Sequence, residues 1–143
     1  WARYTGPANS GIQQVLSHDN GSYDRSLGID SRGGGGRSWS AFAGSAGVLG
    51  LQQPIVANKW VFLAVVYDQS AKTAKLYVDG VMKEKTNAES GKGHPYLYIG
   101  ASPSYGEHFI GDIDEVRIYN QALRESQLQS ISTWYGYKTD AAD

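Results

Sequence analysis

Hydrophobic and polar positions alternate along most of the chain in short runs. Residues typical of turns separate one run from the next. Turn chemistry recurs roughly every eight to twelve residues, a spacing typical of a β-sandwich. Within residues 72–85, Leu76 and Val78 fall on one face of a predicted strand, with Lys75 and Tyr77 on the other. Asp79 and Gly80 then tolerate the positive φ angles of a tight turn. This stretch therefore predicts a β-hairpin whose return strand presents charge to water.

The remaining pattern predicts further strands and one helix. Residues 59–68 are nearly all apolar on both faces, so this strand should lie centrally with Trp60 in the core. Residues 122–131 place leucine and isoleucine toward one side, which indicates a helix. We expect one domain over residues 1–135 and a C-terminal tail over 136–143. The other predicted strands span residues 12–18, 22–30, 39–44, 96–101 and 108–119.

Composition narrows the class of protein. A chain of 143 residues suits one domain, and Gly 18, Tyr 10 and Trp 4 favour an all-β fold. The net charge of -1 gives no electrostatic reason to expect nucleic acid or an anionic membrane as partner. No apolar run approaches the roughly 20 residues that span a bilayer. The absence of cysteine excludes a disulfide framework and a thiol nucleophile.

Four segments in order, "KWVFLAVVYD", "AKLYVDGV", "YLYIGA" and "FIGDIDEVRIYNQAL", resemble the laminin G-like jelly rolls of the concanavalin A-like lectin/glucanase superfamily. The resemblance implies a two-sheet antiparallel jelly-roll sandwich with one short C-terminal helix, in a secreted or cell-surface protein. The family usually carries further strands before the position that Trp1 matches. Without those first strands the sandwich should expose a strand edge and part of its core. Either the chain is a fragment, the interpretation we favour, or a partner segment supplies the strands.

Three acids lie close together at Asp112, Asp114 and Glu115. Retaining glucanases of the superfamily use acids at three alternating positions of one strand, and their reacting pair stands roughly 5 to 5.5 Å apart. Here Val116 occupies the third alternating position, and no other strand offers an acidic row. The interrupted row predicts a non-catalytic domain, and a catalytic domain that acts on polysaccharide is kept as the less favoured alternative.

The same acids raise a second possibility. Members of the family often hold a structural Ca²⁺, and the resemblance assigns Asp114 as a ligand with Asp112 beside it, because calcium prefers several oxygen ligands. In the alternative, Asp114 caps a loop through backbone N–H groups and Glu115 pairs with Arg117. The sequence leaves both open.

Aromatic and polar side chains in the predicted loops suggest a ligand surface. Tyr96 and Tyr98 share one strand face, opposite Leu97 and Ile99, so they should point outward if those two enter the core. Such a surface suits a glycan or polysaccharide; the alternative is a protein-interaction or adhesion module that meets another protein or a neighbouring domain. The predicted ligand-binding residues are Tyr96, Tyr98, Trp39, Tyr105, His94 and Arg37.

Overall fold

The computed structural model describes residues 1–8, 10–19, 21, 24–91 and 94–134, so the predicted tail lies outside the described residues. Three β-sheets and a helix, α1 (Glu125–Trp134), confirm the all-β prediction and the C-terminal helix. The strands are β1 (Ala2–Tyr4), β2 (Gln13–His18), β3 (Arg25–Asp30), β4 (Ser38–Ala43), β5 (Val48–Gly50), β6 (Trp60–Val61), β7 (Leu63–Asp68), β8 (Thr73–Val78), β9 (Val81–Thr86), β10 (Tyr98–Ile99), β11 (Ala101–Ser102), β12 (Glu107–His108) and β13 (Gly111–Ile113).

The largest sheet has the strand order β11-β12-β2-β3-β4-β5, and β10 also pairs with β2. The register between β2 and β3 shifts between Gln14 and Leu16, which marks a β-bulge. Opposite the bulge, Gly28 leaves room for the displaced backbone: a Cβ there would lie 2.1 Å from the carbonyl oxygen of Gln13. A glycine at this position is therefore required by packing.

Two three-stranded sheets complete the fold, with the orders β13-β1-β6 and β7-β8-β9. The predicted hairpin is confirmed, because β8 and β9 pair in register around Asp79 and Gly80, both at positive φ. Alternate residues of β8, including Leu76, enter a core that also contains Ile29 and Trp39 from the largest sheet. The hydrophobic alternation of the sequence thus becomes a layer buried between sheets.

The predicted central strand at residues 59–68 needs correction. It divides into β6, which pairs with β1, and β7, which lies at the edge of its sheet and pairs with β8. Trp60 is half-buried, with the Arg3 guanidinium 5.0 Å from its ring centroid, and is not part of the core cluster. An apolar strand at an edge is unusual, because such edges invite further pairing.

The predicted strand at residues 108–119 is also wrong in its second half. Strand geometry ends at Ile113, and Glu115 has a φ of 52°. A positive φ at a residue other than glycine breaks the alternation of side chains. Residues beyond it therefore do not continue the strand faces on which Asp112, Asp114 and Glu115 were predicted to lie. Val116, Ile118 and Tyr119 are instead exposed.

Candidate functional site

Four aromatic rings meet at one end of the largest sheet, and we call them the aromatic cluster: His18, His94, Tyr96 and Tyr98. The Tyr96 and Tyr98 ring centroids are 6.4 Å apart, and the His94 ring lies 5.6 Å from Tyr96 and 6.1 Å from Tyr98. The His18 ring lies 6.1 Å from that of His94. Three predicted ligand-binding residues are thus brought together.

Strand pairing and hydrogen bonds position the cluster. β10 pairs with β2, which sets Tyr98 opposite Ser17, next to His18. His18 Nε2 donates to the carbonyl oxygen of His94, and its Nδ1 accepts from Nη1 of Arg25 at 3.3 Å. These two contacts define the neutral imidazole tautomer of His18 with hydrogen on Nε2. Its ring orientation is therefore fixed from both sides.

Exposure within this segment differs from the prediction. Tyr96 is 62% exposed, as expected, whereas Tyr98 is half-buried. Leu97 and Ile99, which should have entered the core, are 41% and 58% exposed. The alternation of faces holds only in a regular strand, and residues 96 and 97 precede the two-residue β10. Both faces of the segment consequently reach the surface.

The Tyr105 ring does not contact the four rings of the aromatic cluster. It is exposed and lies beside the turn at Gly21. Desolvation raises the pKa of its phenol, and the negative charges of Asp19, Asp24 and Glu107 add to this. Asp19 itself has a raised pKa, first because of burial and then because of Asp24. Tyr105 therefore sits in an acidic environment unlike that of the aromatic cluster.

Two other predicted ligand-binding residues, Trp39 and Arg37, make contacts within the fold. Trp39 is 4% exposed and packs with its ring centroid 6.2 Å from that of Phe109, so it must be removed from the predicted set. Because Trp39 follows a glycine-rich loop, we expected its side chain to be exposed. In β4 the side chain packs in the core instead. The Arg37 guanidinium lies 4.5 Å from the Tyr4 ring centroid and donates to Ser10 Oγ at 3.0 Å. Arg37 thus holds the N-terminal segment.

The predicted metal ligands have other partners. Asp112 Oδ2 accepts from Arg3 Nε at 2.9 Å across the β1–β13 pair, and Asp114 Oδ1 accepts from the backbone N–H of Glu115. Arg117 lies 3.4 Å from the Glu115 carboxylate, as the alternative account predicted. Over the described ranges, no three acidic or histidine side chains converge to hold a metal ion. The side-chain contacts favour the alternative in which Asp114 caps a loop, and the calcium site on Asp114 with backbone carbonyl ligands stays a prediction.

Chelation distinguishes these two accounts. We expect EDTA to leave the melting temperature unchanged, because Arg3 neutralises Asp112 without a metal ion. Differential scanning fluorimetry in chelated buffer, with and without added Ca²⁺, is the measurement. A melting temperature that falls in EDTA and recovers with Ca²⁺ would restore the calcium site, since a ligand specific for the folded state stabilises it.

His18 is the cluster residue that sequence reasoning missed. Because His18 ends a predicted strand, the sequence indicated that it would lie at the surface. Nothing in the sequence places it against His94, because that contact depends on β10 pairing with β2 across 76 residues of chain.

Comparison with known proteins defines the family. A family model described as belonging to the concanavalin A-like lectin/glucanases superfamily, that of laminin G-like domains, matches residues 1–129. No curated protein and no solved structure gives a significant match. In the part of the chain that the structure describes, no helix has the length and apolar character needed to cross a membrane. Proteins of this superfamily often bind carbohydrates or proteins. The chain therefore belongs to the laminin G-like domains of the concanavalin A-like lectin/glucanase superfamily.

Proposed function

We propose that this chain is a non-catalytic glycan-binding module of a secreted or cell-surface protein, and that it binds saccharide at the aromatic cluster. The observation that carries the proposal is the group of rings formed by exposed Tyr96 with half-buried His94 and Tyr98, tilted relative to one another by 41° to 65°. Family membership supports a carbohydrate- or protein-binding module in general. The cluster supports the choice of carbohydrate.

The chemistry of the rings suits a sugar. Tyrosine and histidine combine an apolar ring face with a polar edge. The face can stack on the C–H groups of a pyranose, while phenol hydroxyls and imidazole nitrogens can bond its hydroxyl groups. His18, held by Arg25 and the His94 carbonyl, contacts the His94 ring edge-on. The rings of His18, held by hydrogen bonds, and of Tyr98, held by the β10–β2 pair, lose little conformational entropy on binding.

The arrangement of acids supports a binding role without catalysis. Glycoside hydrolysis uses two carboxyl groups that face each other across the scissile bond. Asp112 is engaged with Arg3, Val116 interrupts the alternating row, and the positive φ of Glu115 ends the strand geometry beside Asp114. Activity assays on polysaccharides should accordingly give no turnover.

A tyrosine substitution in the cluster tests the proposal. Tyr96→Ala should weaken the binding of the best saccharide from a glycan array by roughly tenfold, because one stacking face is lost. Its melting temperature should stay close to that of the wild type, since the side chain is mostly exposed. Isothermal titration calorimetry measures the affinity.

Tyr119→Ala is the matched control, because Tyr119 is exposed but lies outside the cluster. It should bind saccharide as tightly as the wild type. Equal affinity of the Tyr96→Ala and wild-type domains would contradict the proposal, as would the absence of binding to every saccharide by the folded domain.

A further inference from the structure

Three carboxylates lie beside the turn that joins β2 to β3, and we call them the carboxylate cluster: Asp19, Asp24 and Glu107. The backbone N–H of Gly21 donates to Asp19 Oδ1 at 2.9 Å and to Asp24 Oδ2 at 2.8 Å, so two carboxylates share one amide. Glu107 belongs to β12, and its Oε2 accepts from Gln14 Nε2 at 2.9 Å. Burial raises the pKa of Asp19, and the charges of Asp24 and Glu107 raise it further. The three acids therefore form one electrostatic group.

The fold supplies little positive charge to this cluster. Neither Asp19 nor Glu107 takes part in an ion pair with another described residue. The guanidinium of Arg32 acts on both of them through space, but it donates to the two carboxylate oxygens of Asp30 at 2.6 to 3.1 Å. Carboxylates that stand close together repel one another, so a cationic ligand would stabilise them.

A buried hydroxyl without a hydrogen-bond partner lies next to Glu107. Ser102 is directly opposite Glu107 in the β11–β12 pair, so both side chains project from the same face of the sheet. Ser102 is fully buried, and its Oγ has no partner among the described residues. Ser17 Oγ, two residues before Asp19, is buried and unpartnered in the same way. Because buried polar groups are nearly always satisfied, such exceptions indicate a place where a bound polar molecule completes the bonding.

The spacing of the acids suits an organic ammonium ion better than a metal ion. Calcium takes about six to eight oxygen ligands at roughly 2.3 to 2.6 Å. Over the described residues, no three acidic or histidine side chains converge closely enough to hold a metal ion. An ammonium group has three N–H donors and forms longer bonds, of about 2.7 to 2.9 Å, to carboxylates. It can therefore bond acids that stand too far apart for a metal.

An exposed aromatic ring stands beside the carboxylates. Tyr105 is 54% exposed, and its hydroxyl lies over the turn, because a Cβ on Gly21 would be 2.8 Å from it. Its ring gives a flat apolar surface on which a pyranose can stack. The carboxylate cluster also adjoins the aromatic cluster, since Tyr98 pairs with Ser17, two residues before Asp19. Both surfaces can consequently contact one oligosaccharide.

We propose that the carboxylate cluster binds the protonated amine of an amino sugar, a glucosamine-type residue of the saccharide that the aromatic cluster holds. The ammonium group donates to the carboxylates, and the face of the sugar ring stacks on Tyr105. The inference rests on the proposed function, because it takes a saccharide as the ligand. It adds a preference for free amino sugars over N-acetylated ones, whose amide carries no charge.

Two matched oligosaccharides test the preference. The glucosamine trimer and its fully N-acetylated counterpart have the same backbone and differ only at the amino groups. In mildly acidic buffer of low ionic strength, the glucosamine trimer should bind at least about tenfold more tightly than the acetylated one. Added salt should reduce this ratio, because the extra attraction is electrostatic. Isothermal titration calorimetry measures both affinities.

Removal of single charges locates the amine. Glu107→Gln and Asp19→Asn should each reduce the ratio of the two affinities to within about threefold, because a charge-assisted hydrogen bond becomes a neutral one. Glu125→Gln is the matched control and should keep the full ratio, since Glu125 is an exposed acid of α1 whose charge acts on Tyr77 instead. Thermal melting verifies that each variant is folded.

The outcomes separate this inference from the proposed function. Equal affinity for the two trimers, a ratio that survives both substitutions, or binding of neither trimer would overturn the inference, while the glycan array still tests other saccharides. A trilysine peptide that binds as tightly as the glucosamine trimer would overturn it in favour of a basic protein partner. Affinity that responds to Glu107→Gln but not to Tyr96→Ala would support the carboxylate cluster and contradict binding at the aromatic cluster.

Discussion

Replacing Trp39 with alanine is expected to lower the free energy of unfolding by about 3 to 5 kcal/mol. The side chain is almost fully buried in β4, its ring lies against Phe109, and its backbone carbonyl accepts from Leu51. Alanine would leave a large cavity between the sheets that backbone pairing on both sides prevents from closing. Because a domain of this size is stable by only about 5 to 15 kcal/mol, much of the variant should unfold near body temperature. Urea denaturation measures the loss.

Trp60→Ala is the control for this prediction. Trp60 is half-buried and stacks with Arg3, so its truncation should cost clearly less than that of Trp39. The sequence predicted a greater loss of stability at Trp60, because this residue begins the most apolar segment. A greater loss of stability at Trp60 than at Trp39 would mean that the core is placed incorrectly.

Gly28→Ala should also destabilise the domain, by about 2 kcal/mol or more. A new Cβ would meet the Gln13 carbonyl oxygen at 2.1 Å and the Gln14 Cα at 2.9 Å. Both are backbone atoms of the bulged β2, so neither can rotate away. Alanine normally favours a strand over glycine by roughly 0.5 to 1 kcal/mol, but the collision is larger and determines the sign. Urea denaturation again gives the difference.

Gly11→Ala provides the comparison for a change of the same size. Its Cβ would meet no atom within 4 Å, and its backbone φ lies outside the left-handed region. Stability should therefore stay within about 0.5 kcal/mol of the wild type or rise slightly. Equal changes in the free energy of unfolding for Gly28→Ala and Gly11→Ala would mean that the bulge between β2 and β3 is not rigid.

Local chemistry predicted the elements that depend on neighbours in sequence. The hairpin at Asp79 and Gly80 follows from residues that accept positive φ, and α1 follows from the spacing of apolar residues. Alternation and composition predicted the all-β class, and the family resemblance added the jelly-roll sandwich. These predictions hold because each is set by a few adjacent residues or by the ordered motifs.

The position of β7 could not be predicted in the same way. An apolar strand covered on both faces and an apolar strand beside an open groove have the same hydrophobic pattern. The break after Ile113 was also hidden, because Glu115 is a residue that rarely adopts positive φ. Side-chain pattern reports burial, whereas edge position depends on which segments meet in space.

The candidate site was predicted in part. His94, Tyr96 and Tyr98 do come together, since they are close in sequence. His18 was missed because its contact with them is long-range, and Trp39 was included because an exposed loop precedes it. Residue type identified suitable chemistry, but long-range strand pairing determined which side chains could share a surface.

The location of a bound saccharide is the most direct measurement of the central claim. The folded domain should be titrated with the best saccharide from an array while NMR records chemical-shift changes at every assigned residue. Our account predicts the largest shifts at His94, Tyr96 and Tyr98, with His18 next to them. Saccharide-dependent shifts centred on Asp112 and Asp114, with the aromatic cluster unaffected, would contradict it.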